Sequence, residues 1–139
     1  MKLIHLLVLA LLAMVIAGGC APAAQPEAEE ATVRLRVRTH DGDLLDDTAP
    51  LRDGDTALSI LQQYCKDNQV QMETNAIGYV TGIDNLYEGD QGEMSGWLVR
   101  VNDTFLAVAA GEYELSENDD VEWLYSLDWG MDWGMDWGE

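Results

Sequence analysis

The chain is poor in the residue types from which most catalytic and metal sites are built. Its 139 residues hold two cysteines, two histidines, three prolines and one phenylalanine. One histidine, His5, and one cysteine, Cys20, fall near the N-terminus, so any folded domain beyond them has only His40 and Cys65. That excludes a disulfide framework and a Cys/His zinc site, and it leaves no Ser, His and acid set. No glycine-rich phosphate loop is present either, so the chain reads as a non-enzyme. Basic residues are equally scarce: seven Lys and Arg stand against 26 Asp and Glu, for a net charge of −19. Nucleic acid is excluded as a partner, because phosphate contacts need a basic surface. Long apolar runs are missing except one, the 12 residues from Leu6 to Ala17. A membrane-spanning helix needs about 20 such residues, so this run is too short to serve as one.

What the run does have is the flank of a secretory leader: Lys2 before it and small residues after it. Ala17-Gly18-Gly19-Cys20 resembles the motif read by the bacterial lipoprotein signal peptidase, with Ala17 where Leu is commoner. The resemblance implies cleavage before Cys20 and a diacylglycerol thioether on its sulfur. The alternatives are a secreted chain cut near Ala21, or an uncleaved anchor. Two or three acyl chains at about 0.8 kcal/mol per buried methylene hold a protein firmly to a bilayer, where one is marginal. Residues 1–19 are thus expected to be a lipoprotein signal peptide. Residues 20–31, with Pro22, Pro26 and three Glu after the cysteine, are expected to be a lipidated, disordered tether. Extended, the 11 residues after Cys20 reach on the order of 34 Å, enough to clear the headgroups. The expected location is extracytoplasmic, anchored by lipid to the cell membrane or an outer membrane. Anionic headgroups repel so acidic a domain, so the lipid is its only expected membrane contact.

Residues 32–129 carry the pattern of one small domain. Val33, Leu35 and Val37 alternate with Arg34, Arg36 and Arg38, the period of a half-buried strand. Asp41-Gly42 signals a tight turn into a return strand over Asp43 to Thr48. Thr56 is placed to cap a helix to about Asn68, with Leu58, Leu61, Tyr64 and Cys65 along its apolar face. Strands are expected near Val70–Thr74 and Ile77–Ile83, and an exposed loop over Asp84–Ser95. Further strands follow at Trp97–Val101, Phe105–Ala109 and Tyr113–Leu115. The last strand sets Val121, Trp123, Tyr125, Leu127 and Trp129 in period-2 register. A hairpin, a helix and a mostly antiparallel sheet make an α+β domain of β-grasp type.

Several stretches in this order resemble the transcobalamin C-terminal-like domain of bacterial surface proteins, also called DUF4430. They are Thr56-Ala57-Leu58, Gly78-Tyr79-Val80, Ser95-Gly96-Trp97, Val101-Asn102, Gly111-Glu112-Tyr113 and Val121-Glu122-Trp123-Leu124-Tyr125. The resemblance covers about Thr32 to Trp129. Asn102-Asp103 replaces the family's Asn-Gly, and Asn118-Asp119 its Gly-Asp. Asn and Asp best tolerate a left-handed backbone, so both turns are expected to survive. In the family's namesakes this domain covers one face of cobalamin while a helical barrel holds the other, and nothing in these 139 residues reads as that barrel. The resemblance implies the β-grasp fold and, as a ligand, cobalamin or another corrinoid. A transporter or surface-protein partner is the further implication, and a purely structural or protein-interaction module with no small ligand is the alternative.

Tyr79, Tyr87 and Trp97 stand as candidate ligand-binding residues. Tyr87 sits in the polar loop beside Gly89 and Gly92, where a ring has less reason to be buried. The inward register of Trp97, Tyr113 and Trp123 favours the core for these three. Cys65 reads as a small buried hydrophobe. The Arg34, Arg36 and Arg38 stripe is expected to meet acids on the neighbouring strand. Residues 130–139 continue a repeat begun at Asp128: Asp-Trp-Gly-Met, Asp-Trp-Gly-Met, Asp-Trp-Gly-Glu. A glycine in every unit disfavours helix and strand, so Met131 to Glu139 is expected to be mobile with Trp133 and Trp137 exposed. Its acids, Asp128, Asp132, Asp136 and Glu139, lack the mixed ligand spacing of a calcium loop, and no metal site is expected.

Overall fold

The computed structural model describes residues 28–138. The leader, the lipidation site at Cys20 and the first part of the tether lie outside the described residues. Ala31 is already attached to the domain, its carbonyl accepting from Leu51 N at 2.8 Å.

Chain order is a hairpin of β1 (Thr32–Thr39) and β2 (Gly42–Pro50), helix α1 (Ala57–Asn68), then β3 (Met72–Thr74), β4 (Val80–Ile83) and β5 (Leu86–Tyr87). β6 (Gly96–Val101), β7 (Thr104–Phe105) and β8 (Asp120–Ser126) follow. The main sheet runs β2-β1-β8-β6-β7, and β3-β4-β5 form a second, smaller one. β1 and β8 pair in parallel, Leu35 opposite Val121 and Val37 opposite Trp123. All other pairings are antiparallel. This is the α+β, β-grasp-like architecture expected from the sequence.

Local chemistry accounts for the elements. Thr56 and Ser59 form a reciprocal capping box: the Thr56 hydroxyl accepts from Ser59 N at 3.1 Å, and the Ser59 hydroxyl from Thr56 N at 2.8 Å. Such a cap contributes about 1 kcal/mol. At the other end Gln69 adopts a left-handed conformation and closes the helix on the Cys65 carbonyl. Ala57, Ile60, Leu61 and Cys65 are buried against Val33, Leu35 and Val37 of β1 and Val121, Trp123 and Tyr125 of β8. The Asn102-Asp103 turn has φ values of 50° and 64°, and Asn118 has 66°, so the residues replacing glycine hold the left-handed geometry.

The opposite face of the main sheet is covered too, which the sequence pattern did not foretell. Glu122, Leu124 and Ser126 project away from the helix side, yet each is at most 1 % exposed. Around Glu122 gather Arg36 and Arg38, each with an Nη1 at 3.0 Å, and Arg100. Arg36 also meets Asp120, and Arg34 meets Asp46 in a bidentate pair. The arginine stripe is therefore neutralised by acids of both neighbouring strands.

The C-terminal repeat departs from expectation. β8 ends at Ser126, not Trp129, because the Ser126 hydroxyl accepts from Asp128 N at 3.1 Å and Gly130 N at 2.6 Å and curls the chain back. Met131–Trp133 is a single 3₁₀ turn held between two left-handed glycines, Gly130 and Gly134. Trp133 is half-buried rather than free: its Nε1 donates to the Tyr125 carbonyl at 3.0 Å, and its ring stacks on His40 at 4.8 Å. The repeat glycines supply turns, which is why a reading of them as breakers implied a loose tail. Smaller differences occur elsewhere. β4 begins only at Val80, β7 stops at Phe105, and the expected Tyr113–Leu115 strand is one bridge between Thr56 and Glu114. No helix among the described residues is long and apolar enough to cross a membrane.

Candidate functional site

β7 pairs only with Arg100 and Val101 of β6, so the Gly96–Leu98 end of β6 has no strand beyond it. A sheet edge left this way exposes backbone groups, and here the Tyr79 side chain lies beside them. Asn75 builds the turn that delivers it: its side-chain oxygen accepts from Ile77 N at 3.1 Å and Tyr79 N at 3.0 Å. The turn aims Tyr79 at β6, where its hydroxyl lies against Gly96. Gly96 makes room for it, since a Cβ there would stand 3.1 Å from the Tyr79 oxygen. Burial and the nearby charge of Glu88 push the Tyr79 hydroxyl above its ordinary pKa, so it stays a neutral phenol.

Two cavities open on either side of Tyr79 and Leu98, which line both. The larger, of about 520 Å³, is walled by Tyr79, Met94, Trp129 and Trp137, with Glu88 and Glu93 at its margin. The smaller, of about 270 Å³, is almost wholly apolar, bounded by Trp97, Trp123, Val99, Phe105, Leu106 and Val108. The frame around them is firm. Ser95 Oγ lies 3.0 Å from Tyr125 Oη, and the Tyr125 hydroxyl donates to the Tyr87 carbonyl at 2.6 Å, which ties the Asp84–Ser95 loop to β8. Trp129 N donates to Met94 O at 3.2 Å, and Trp137 Nε1 to Trp129 O at 2.9 Å. The tail thereby becomes a wall of the larger cavity.

The three residues singled out from the sequence separate. Tyr79 is the hinge of the cleft. Trp97 is 1 % exposed. Its Nε1 donates to Leu86 O at 2.9 Å and its ring meets Tyr125 edge-on at 5.1 Å. It forms the floor of the smaller cavity from within the core. Tyr87 is not brought to the cleft. Its ring lies over Gly82 on β4, and its hydroxyl lies between Glu73 Oε1 at 3.1 Å and Gln71 Nε2 at 3.0 Å. Cys65 is buried, which pushes its thiol up to about 11, so it offers no nucleophile at neutral pH. Sequence reasoning missed Trp129, Trp137, Glu88 and Glu93 as wall residues. The repeat of tryptophans in a tail with no core register was the one signal that pointed to them.

One polar atom beside the cleft is unusual. Trp123 is 3 % exposed and lines the smaller cavity, and its Nε1 is the sole buried side-chain nitrogen or oxygen without a hydrogen-bond partner among the described residues. Buried indole N–H groups ordinarily find an acceptor.

The sequence profile of the DUF4430 family, a domain of unknown function, matches residues 54–126. No curated protein matches the chain. Among solved structures the fold is similar to haptocorrin in complex with Cbi, with a TM-score of 0.59 and 20 % identity over 73 % of this chain and 26 % of haptocorrin. It is also similar to a candidate metal binding protein from Ruminococcus gnavus ATCC 29149, with a TM-score of 0.50 and 16 % identity over 70 % of this chain and 97 % of that one.

Proposed function

Because the chain belongs to the DUF4430 family, and the matched stretch frames the cleft, we propose that it is a lipid-anchored, extracytoplasmic, non-enzymatic binding module. Its ligand is a molecule with an apolar body and neutral hydrogen-bond acceptors, and a corrinoid such as cobalamin is the first to test.

The observation that carries this is the apolar cavity beside Trp123, whose occluded Nε1 has no hydrogen-bond partner among the described residues. Leaving a buried donor unpaired costs about 1–3 kcal/mol, and a ligand carbonyl removes that cost once a small shift of the ring uncovers the N–H. Corrinoids bear amide side arms around a flat, largely apolar ring. A cavity of about 270 Å³ suits one such arm rather than a macrocycle, with the ring lying across the mouth against Tyr79. The shared fold with haptocorrin, whose structure holds Cbi, supports the choice of ligand at the level of architecture. Cys20, behind a leader of lipoprotein type, accounts for the anchor, and the acidic surface keeps the domain off the bilayer.

A second reading, a protein-interaction module, draws on Ile77 at 86 % and Val108 at 50 % exposure beside the same cavity. Such side chains suit an apolar partner surface. The outer edge of β2 favours no partner strand, since Asp43, Asp46 and Asp47 blunt it. Isothermal titration of the full chain in detergent with cobalamin and cobinamide separates the readings. Saturable binding of one corrinoid per chain supports the first, and its absence leaves the interaction module.

A further inference from the structure

We propose that the larger cavity is a separate binding site for an organic cation with a methylated ammonium head, of choline type. Three aromatic side chains from distant parts of the chain converge there: Tyr79 before β4, and Trp129 and Trp137 from the tail. Trp129 and Trp137 remain 56 % and 60 % exposed, so the fold gains little from burying them. They are nevertheless held in place, by the Trp129 N to Met94 O and Trp137 Nε1 to Trp129 O bonds. The turn between them depends on a glycine. Gly130 has φ +88°, and a Cβ on it would stand 2.7 Å from Leu98 Cδ1 and 2.8 Å from Met135 Sδ. Trp137, tied through its own ring nitrogen, and Trp129, tied through its backbone N–H, thus stand together on one side of the cavity as an aromatic wall.

Charge decides what such a wall takes. Aromatic faces attract cations, indole most strongly. Glu88 and Glu93 line the same cavity, no Lys or Arg does, and no ion pair engages either acid among the described residues. The net charge of −19 adds a field that draws cations toward the surface. A methylated ammonium is favoured over a primary one because its weaker hydration is more readily given up to an aromatic wall. The same two carboxylates repel a ligand that carries its own, so choline binds in preference to glycine betaine. About 520 Å³ leaves room for a substituent on the head. Trp129, Trp137, Glu88 and Glu93 line the larger cavity and not the smaller, and Tyr79 is the one aromatic shared with the corrinoid reading, which rests on Trp123 and the smaller cavity.

The test is calorimetric titration of the full chain, in a detergent without a quaternary ammonium head, with choline, tetramethylammonium, glycine betaine and 3,3-dimethyl-1-butanol. The last has the shape of choline without its charge. Choline and tetramethylammonium are expected to bind saturably, with the neutral isostere and betaine weaker by about tenfold or more. Trp129→Ala and Trp137→Ala should each weaken choline about tenfold while melting at the wild-type temperature. Glu88→Gln and Glu93→Gln, which leave the wall intact, should weaken it several-fold and reduce its salt dependence, and they decide the matter should either tryptophan variant unfold. Absence of choline binding, equal affinity for the neutral isostere, or indifference to these substitutions would each overturn the proposal. Corrinoid titration of Trp137→Ala keeps the two sites apart: corrinoid binding retained with choline binding lost assigns the cation to the larger cavity.

Discussion

Asp132 and His40 lie 92 residues apart in the chain and meet at 2.7 Å, Oδ2 against Nε2. The same carboxylate accepts from Ser126 Oγ at 2.5 Å and Leu127 N at 2.6 Å, so one side chain ties the repeat to the end of β8 and to the β1–β2 hairpin. Trp133 then lies between His40 and Arg38, its centroid 5.7 Å from the Arg38 guanidinium carbon. The second unit of the repeat is thus part of the fold, and the first and third form a wall of the cleft.

Deleting Met131 to Glu139 should lower the melting temperature by several degrees. The loss removes the acceptor of the Ser126 hydroxyl and the cover over the sheet, on the order of 1–3 kcal/mol. Asp132→Ala should cost part of that. Burial raises the Asp132 pKa, but the bonds from Leu127, Ser126 and His40 outweigh it and leave it below the usual value. A carboxyl with a folded pKa below its unfolded value of about 3.9 stabilises the fold above that pH. The contribution is lost as pH falls through 3.9 toward the folded value. Thermal melts of wild type and Asp132→Asn from pH 6 to pH 3 should therefore converge at the acid end, and a constant gap would contradict this.

Glu122 should be the least replaceable charge in the domain. Its side chain is 1 % exposed and shared by Arg36, Arg38 and Arg100. Burial works against its ionisation, yet the hydrogen bonds from Arg100 and Arg38 hold its pKa below the ordinary glutamate value. Glu122→Ala leaves Arg36 with Asp120 and Arg38 with Asp43 but takes from Arg100 its one buried acid, and it should cost about 3–5 kcal/mol in a denaturant melt. A loss under 1 kcal/mol would show that solvent screens the cluster.

Gly82 and Tyr87 should be coupled. They are cross-strand partners in the smaller sheet, and a Cβ on Gly82 would stand 2.6 Å from Tyr87 Cδ1. Gly82→Ala is expected to destabilise by about 1–3 kcal/mol, as overpacking does. In the background of Tyr87→Ala the same change should cost much less. Additive effects in the double-mutant cycle would show that the ring moves aside freely.

How far the sequence disclosed this molecule depends on the range of the interaction. The Asp41-Gly42 turn, the Thr56 cap and the alternation of Arg34, Arg36 and Arg38 are local signals, and each appears where it was read. The parallel pairing of β1 with β8 joins residues more than 80 positions apart, and no local period encodes it. The repeat failed for a related reason: its glycines break regular structure, while its order comes from His40, Arg38 and Tyr125. Tyr79 was legible as a candidate. Its partners in the cleft were not, because they come from a loop and a tail. Tyr87 was drawn in by its place in a polar loop, but pairing with Gly82 gives its ring a surface to cover.

The anchor has its own test. On the proposed lipidation, Cys20→Ala should abolish incorporation of labelled palmitate and leave uncleaved precursor, because the thiol would be the acceptor of the diacylglycerol. Unchanged labelling in that variant would contradict lipidation at Cys20, and secretion of a shorter soluble chain from the wild type would favour cleavage near Ala21.

The claim that the cleft is a ligand site with Trp123 as its inner donor is tested most directly by Trp123→Phe. The substitution removes the unpartnered N–H and keeps an aromatic ring, so the loss of volume and the removal of a buried unpaired donor oppose each other in the free protein. Calorimetric titration of wild type and variant with cobalamin and cobinamide, alongside thermal melts, is the measurement. The account predicts saturable corrinoid binding by the wild type, weakened up to about tenfold in Trp123→Phe with little change in melting temperature. Equal corrinoid affinity in both proteins, or none in either, would contradict it.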